Sequence, residues 1–103
     1  MRHTILWQYD VKQGAIVEFE RIYGSAGDWV KLFGRSSGYL GTELHRDVAT
    51  RRRYIVLDRW RSAAEFAAFR ARFNAEYAAL DRACAGLSDR ELPLGTCEQL
   101  ETV

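Results

Sequence analysis

The chain has 103 residues, of which 48% are hydrophobic and 13% aromatic, enough for one domain, residues 1–103, with an apolar core. Lys and Arg total 15 against 14 acidic residues, so the net charge of +1 predicts neither a nucleic acid nor a membrane as partner. No segment has the roughly 20 apolar residues of a membrane span or the apolar run of a signal peptide. Cys84 and Cys97 lack metal-ligand spacing and are too few for a disulfide framework. We therefore expect a cytoplasmic protein with reduced thiols and no metal.

The first third of the chain predicts a strand and two helices. Residues 4–11 alternate apolar with polar side chains and are rich in aromatic and β-branched types, which predicts a strand. Apolar residues at helical spacing predict a helix over residues 15–23, which the run Gly24-Ser25-Ala26-Gly27 ends. Asp28 is then a suitable N-cap for a short helix over residues 29–33.

The middle of the chain predicts a β-hairpin. Residues 39–47 and Arg53–Trp60 each alternate as strands do, and the polar segment 48–52 is short enough to connect them as antiparallel neighbours. The three arginines at positions 51–53 lie at this turn, where solvated charges need no function.

A long helix and a last strand are predicted to complete the domain. Ser62 and Glu65 have the spacing of a capping box, which predicts the start of a helix over residues 63–84. Pro93 precedes a predicted strand over residues 96–100.

The predicted order is therefore strand, helix, hairpin, helix, strand. This order defines an α+β, ferredoxin-like, split β-α-β-β-α-β fold, in which helices cover one face of a four-stranded antiparallel sheet. We expect the helices to cover an aliphatic row of side chains, namely Leu40, Leu44, Ile55 and Leu57. A second apolar row would then lie on the uncovered face, namely Tyr54, Val56, Trp60 and Leu6.

An uncovered apolar face predicts an interface or a ligand cavity. We expect two copies of the chain to pair through it as a homodimer, since burial of apolar area at about 25 cal/mol per Å² favours association. The alternative is that the C-terminal segment of the same chain covers this face.

Several short segments resemble one known family. They are the run Val11-Lys12-Gln13-Gly14, the acidic-aromatic Glu18-Phe19-Glu20, the run from Ser37 to Leu44, Asp47 before the turn, and Asp58-Arg59-Trp60-Arg61-Ser62 leading into Phe66. In this order and spacing they resemble the antibiotic biosynthesis monooxygenase-like proteins, which are dimeric α/β-barrels.

This resemblance implies a cofactor-independent monooxygenase that acts on a small aromatic or quinol-type metabolite. The family also contains haem-degrading members, which use an asparagine on the first strand and a tryptophan and a histidine on the long helix. The matching positions here hold about Trp7, Phe69 and Ala79, so the haem-degrading branch is disfavoured. We expect no cofactor.

The predicted site lies in the lumen of such a barrel and comprises Glu43, His45, Tyr54, Asp58 and Trp60. His45 and Asp58 are the candidate catalytic residues, because an imidazole with an ordinary pKa near 6.5 or a buried carboxylate can accept a phenolic proton. Glu43, Tyr54 and Trp60 are the candidate substrate-binding residues, since rings stack on a flat substrate and polar groups orient it.

Each of these assignments has a structural alternative. A strand histidine near a hairpin turn, such as His45, is more often an exposed residue or cross-strand partner than a catalyst. Asp58 is as easily an ion-pair partner of Arg53 or Arg59, and Trp60 is as readily a core or dimer-interface residue. Three hypotheses for function follow: an aromatic monooxygenase, a non-catalytic protein that binds a small ligand, and an accessory dimer whose lumen its own side chains fill. The fold alone does not choose among them.

Overall fold

A four-stranded antiparallel sheet forms the body of the protein. The computed structural model describes residues 1–100, and its sheet contains β1 (His3–Val11), β2 (Tyr39–Arg46), β3 (Arg53–Trp60) and β4 (Ser88–Glu98). The strands lie in the order β2-β3-β1-β4, with every neighbouring pair antiparallel. This arrangement confirms the predicted α+β, ferredoxin-like split fold.

Four helices connect the strands. They are α1 (Ile16–Tyr23), α2 (Asp28–Phe33), α3 (Ala63–Arg72) and α4 (Asn74–Cys84), and a 3-10 turn, Ala85–Leu87, leads into β4. None of the helices within residues 1–100 has the length and apolar character needed to cross a bilayer.

The start of α3 confirms the predicted cap, whereas its end does not follow the prediction. The Ser62 hydroxyl accepts a hydrogen bond of 3.1 Å from the Glu65 backbone N–H. The single helix predicted over residues 63–84 is in fact two helices, because Phe73 leaves the helical conformation at φ −111° and ψ 27°. Phe69 and Phe73 are both buried, and their ring centres lie 5.3 Å apart.

The last strand begins eight residues earlier than predicted. β4 starts at Ser88 and includes Pro93, which lies opposite Trp7 next to a register shift. A proline is tolerated there because β4 is an edge strand and the outer side of an edge strand needs no backbone donor. The proline therefore did not mark the boundary that we predicted.

The sequence-based prediction assigned the two rows of side chains in β3 to the wrong faces of the sheet. Trp60 is 0% exposed, and its ring packs on Phe33, Phe66 and Phe69 from the helices. Tyr54 likewise packs on Phe19 of α1, which places the row Tyr54, Val56, Asp58 and Trp60 under the helices. The alternate row of the same strand, which holds Ile55 and Leu57, lies on the face that no helix within residues 1–100 covers.

The pairing register explains this reversal. Tyr9 lies opposite Tyr54 and Trp7 opposite Val56, so the apolar row of β1 faces the helices together with the buried row of β3. Leu44, opposite Val56, lies on the helix side as predicted, while Leu40 is 42% exposed beside a bulge. Because both rows of β3 are apolar, its sequence alone does not distinguish the faces.

Candidate functional site

A cavity of about 280 Å³ lies between the sheet and the helices. Its wall combines six aromatic side chains with a small set of polar and charged ones, the usual composition of a small-molecule site. The lining residues are Trp7, Tyr9, Tyr23, Trp29, Phe33, Thr42, Val56, Asp58, Arg70, Tyr77, Asp81 and Glu91.

The aromatic wall follows from local sequence patterns. Trp7 and Tyr9 share the helix side of β1 because side chains two apart in a strand point to the same face. Tyr23 ends α1, and its ring centre lies 6.1 Å from that of Trp29 in α2. Tyr77 of α4 meets Trp29 edge to face at 5.1 Å. Four elements, β1, α1, α2 and α4, thus supply flat apolar surface to one space.

Asp58 is the buried carboxylate of this cavity. It is 8% exposed and lies directly opposite Thr42 in the register between β2 and β3. The Thr42 hydroxyl donates a hydrogen bond of 2.6 Å to Asp58 Oδ1, and the Tyr39 hydroxyl lies 2.5 Å from Thr42 Oγ1. Burial raises the pKa of Asp58 from 3.8 to about 6, and the Thr42 hydrogen bond opposes that rise.

No cation neutralises Asp58 among the described residues. Arg53 donates from Nε to Asp10 Oδ1 at 2.9 Å, and Arg59 forms its ion pair with Glu43. Both arginines lie on the opposite row of β3, so the ion pair considered for Asp58 is not formed. A carboxylate without a cation is free to accept a proton from a ligand.

Charged groups from α3, α4 and β4 complete the wall. The Arg70 guanidinium lies 3.8 Å from the centre of the Tyr77 ring, and Arg70 Nε is buried without a hydrogen-bond partner in the structure. Burial, together with the charge of Asp81, raises the pKa of Glu91. Within residues 1–100, no group of three or more His, Cys, Asp and Glu side chains is placed to hold a metal ion.

The five residues predicted to surround one cavity do not lie together. Asp58 lines the cavity, whereas Tyr54 and Trp60 lie on the same face but are buried in the core beside it. Glu43 and His45 lie on the uncovered face, where His45 Nε2 is 2.8 Å from Glu43 Oε1. The physical reason is the period of two along each strand, which separates positions 43 and 45 from position 58 across the pairing register.

Sequence reasoning missed most of the lining residues. Trp7 was considered as the counterpart of the haem-degrading asparagine, and Trp29, Arg70, Tyr77, Asp81 and Glu91 were not singled out as site residues. One signal was available: the row of β1 that holds Trp7 and Tyr9 is almost wholly apolar, whereas the other row mixes Leu6 with Gln8 and Asp10, so Trp7 and Tyr9 mark the covered face. The positions of Arg70 and Asp81 depend on how α3 and α4 pack, which carries no such signal.

Comparison with known proteins agrees with the split α+β fold described above. The model of the family "antibiotic biosynthesis monooxygenase" matches residues 2–79, and the chain belongs to that family. No curated protein matches the chain.

Solved structures share the fold at low sequence identity. A variant of SnoaB, a cofactor-independent oxygenase from Streptomyces nogalater, superposes with a TM-score of 0.77 at 18% identity. The match covers 99% of this chain and 96% of the SnoaB chain. A Bordetella bronchiseptica protein described as an antibiotic biosynthesis monooxygenase has a TM-score of 0.74 at 16% identity, with 97% and 98% coverage. A Nitrosomonas europaea protein of the same description has a TM-score of 0.72 at 12% identity, with 96% and 90% coverage.

Proposed function

We propose that this protein is a cofactor-independent monooxygenase that oxidises a small phenol or hydroquinone bound between the sheet and the helices, with Asp58 as the base. The observation that carries the proposal is a buried carboxylate without a cationic partner on the wall of an aromatic cavity. Membership of the monooxygenase family and the fold shared with an oxygenase support it.

The environment of Asp58 suits proton abstraction near neutral pH. A base works best when its pKa lies near the working pH, and burial brings the pKa of Asp58 to about 6. Above that pH the carboxylate is ionised and can accept a phenolic proton. Thr42 holds Oδ1, and no hydrogen bond from residues 1–100 occupies Oδ2.

The expected reaction needs only the substrate, O₂ and the base. Asp58 removes the phenolic proton, and the electron-rich ring carbon of the phenolate forms a bond to O₂. A proton completes a hydroperoxide, whose O–O bond then breaks as the ring C–H bond is lost. One oxygen atom remains as a quinone carbonyl and the other leaves as water, so a phenol with a free ring C–H and O₂ give a quinone and H₂O.

The size of the cavity limits the substrate. A volume of about 280 Å³ lies near the lower end of ligand pockets, which span roughly 300–1,000 Å³. One or two fused rings are therefore expected, stacked against Trp7 or Trp29, since aromatic rings prefer offset or edge contacts with one another.

Oxygen uptake with 1,4-naphthohydroquinone tests the proposal, with the rate in buffer and with heat-unfolded protein subtracted. Uptake should exceed the blank, fall at least about tenfold in Asp58→Asn and stay near wild type in His45→Ala. Quenching of tryptophan fluorescence by 1-naphthol measures binding separately, because Trp7 and Trp29 line the cavity.

Two results would change the assignment. Loss of uptake in His45→Ala with retention in Asp58→Asn would return the role of base to His45, as the sequence first indicated. Binding of 1-naphthol with no uptake above the blank for hydroquinones of one and two rings would identify a non-catalytic binding protein.

We further propose that the uncovered face of the sheet pairs with a second copy of the chain. This face carries Leu6 opposite Leu57, and Leu92 opposite Gln8, all only partly exposed in the single chain. Apolar side chains in the middle of an uncovered face favour burial. In such a pair Glu43 and His45 would lie inside the barrel and Asp58 outside it, under the helices.

A further inference from the structure

Arg70 has the features of a binding group for an anion inside the cavity. It is the one basic side chain among the described lining residues, and its guanidinium rests on the Tyr77 ring. Its Nε is buried, and no residue within 1–100 accepts a hydrogen bond from it. No hydrogen bond or ion pair within residues 1–100 involves the terminal nitrogens of this guanidinium, so their N–H groups remain available to a ligand oxygen in the cavity.

The other titratable groups around Arg70 do not take this role. The acidic groups on the wall are Asp58 on β3, Asp81 on α4 and Glu91 on β4, together with the phenols of Tyr9, Tyr23 and Tyr77. None of these carboxylates lies within ion-pair distance of Arg70. Once Asp58 has taken the proton, the carboxylates of Asp81 and Glu91 would still repel a phenolate, so an anionic ligand oxygen requires the guanidinium.

We propose that Arg70 binds the ionised oxygen of the substrate, so that the cavity selects acidic phenols and holds them as phenolates. This inference rests on the proposed function and names the residue that decides its substrate class. The phenolic proton passes to Asp58, and the negative charge left on the oxygen is held by Arg70. Charge-assisted hydrogen bonds of this kind are about twice as strong as neutral ones.

Proton transfer explains why such a group is needed. An ordinary phenol has a pKa of about 10, whereas the pKa of Asp58 is about 6. Transfer between them is unfavourable by roughly four pKa units unless the cavity stabilises the phenolate or the phenol is intrinsically acidic. Contact with Arg70 lowers the pKa of the bound phenol and so brings it closer to the pKa of Asp58.

A spectroscopic titration of bound 4-nitrophenol tests this inference without turnover, because only its phenolate absorbs strongly in the visible. The pKa of the bound probe should be at least about one unit lower in wild type than in Arg70→Met, which corresponds to about tenfold tighter binding of the phenolate. Affinity for the neutral phenol should change less than threefold. Arg82→Met is the matched control, because Arg82 is exposed on α4 and does not line the cavity.

Two results overturn the inference: an equal bound pKa in wild type and Arg70→Met, or no binding of the phenolate by wild type. Arg70→Gln gives the same comparison if Arg70→Met does not fold, and Arg70→Lys should restore part of the shift. The titration is independent of oxygen uptake. A shift that depends on Arg70 without uptake refutes the oxygenase alone, whereas uptake without such a shift refutes the role of Arg70 alone.

Discussion

The Thr42 hydroxyl on β2 and the Asp58 carboxylate on β3 are directly opposed in the sheet and joined by a hydrogen bond of 2.6 Å. Because Thr42 gives its single hydroxyl hydrogen to Asp58, the Tyr39 hydroxyl, 2.5 Å away, must donate its own to Thr42. A chain of two hydroxyl groups thus ends on one buried carboxylate. This chain offsets part of the cost of burying the charge and leaves the other carboxylate oxygen available to a ligand.

Asp58 is expected to make the protein less stable as the pH rises. Its folded-state pKa, about 6, exceeds the unfolded value near 3.8, so the folded chain holds this proton where the unfolded chain has lost it. The stability gained from this proton is complete below the unfolded value and lost as the pH rises through about 6. Two pKa units correspond to about 3 kcal/mol.

The Asp58→Asn variant isolates this contribution, since asparagine does not titrate. The free energy of unfolding from urea titrations, wild type minus variant, should fall by about 2.4 kcal/mol between pH 4 and pH 7.5. Other titrating groups, such as Asp10 with its lowered pKa, cancel in the difference. A difference independent of pH would show that Asp58 is not buried as described.

Thr42→Val should raise the pKa of Asp58 further. The substitution removes a hydrogen bond to a charged group, worth about 1.5–3 kcal/mol, so the pKa should rise by about one to two units. The acid limb of the pH profile of kcat/KM should move up by the same amount. Tyr39→Phe is the matched comparison, because it leaves the hydrogen bond from Thr42 to Asp58 in place and should shift the acid limb by less. Equal shifts in the two variants would contradict the proposed chain in which Tyr39 donates to Thr42 and Thr42 donates to Asp58.

Trp60 and Trp7 should separate stability from binding. Trp60 is fully buried among Phe33, Phe66 and Phe69 and does not line the cavity, so Trp60→Phe should lower the free energy of unfolding by about 1–3 kcal/mol. The Kd of the Trp60→Phe variant for 1-naphthol should stay within twofold of the wild-type value. Trp7→Leu removes a ring from the wall and should weaken binding about two- to tenfold. The opposite pattern would restore the sequence-based role of Trp60 as a substrate platform.

Leu57→Glu should disrupt pairing between copies of the chain. Leu57 lies between Leu6 and Glu43 on the uncovered face, so the substitution places a charge in the apolar centre of that face and next to a like charge. Light scattering at micromolar concentration should give a dimer for wild type and a monomer for the variant. Val17→Glu, 84% exposed on α1, is the control and should remain dimeric. A monomeric wild type would refute the proposed barrel.

Local patterns predicted the elements well where one cue dominated. β3 has the predicted bounds, and the Ser62 cap forms as its spacing indicates, because a strand period of two and a capping serine act over a few residues. The break at Phe73 and the early start of β4 were missed. No glycine or proline marks the break at Phe73, and Pro93 lies inside β4 rather than before it, so both boundaries depend on packing against the rest of the fold.

In the candidate site, too, some features follow from local sequence patterns and others only from tertiary packing. The sequence by itself determined the split β-α-β-β-α-β order, the family and Asp58 as a candidate base. Only the tertiary structure decided that Asp58 faces the helices, that His45 and Glu43 face away, and that Arg70 and Tyr77 join Asp58 around one cavity. Both rows of β3 are apolar enough to be buried, so the choice between them depends on the aromatic side chains that pack against it from β1, α1, α2 and α3, and those contacts join residues far apart in the chain.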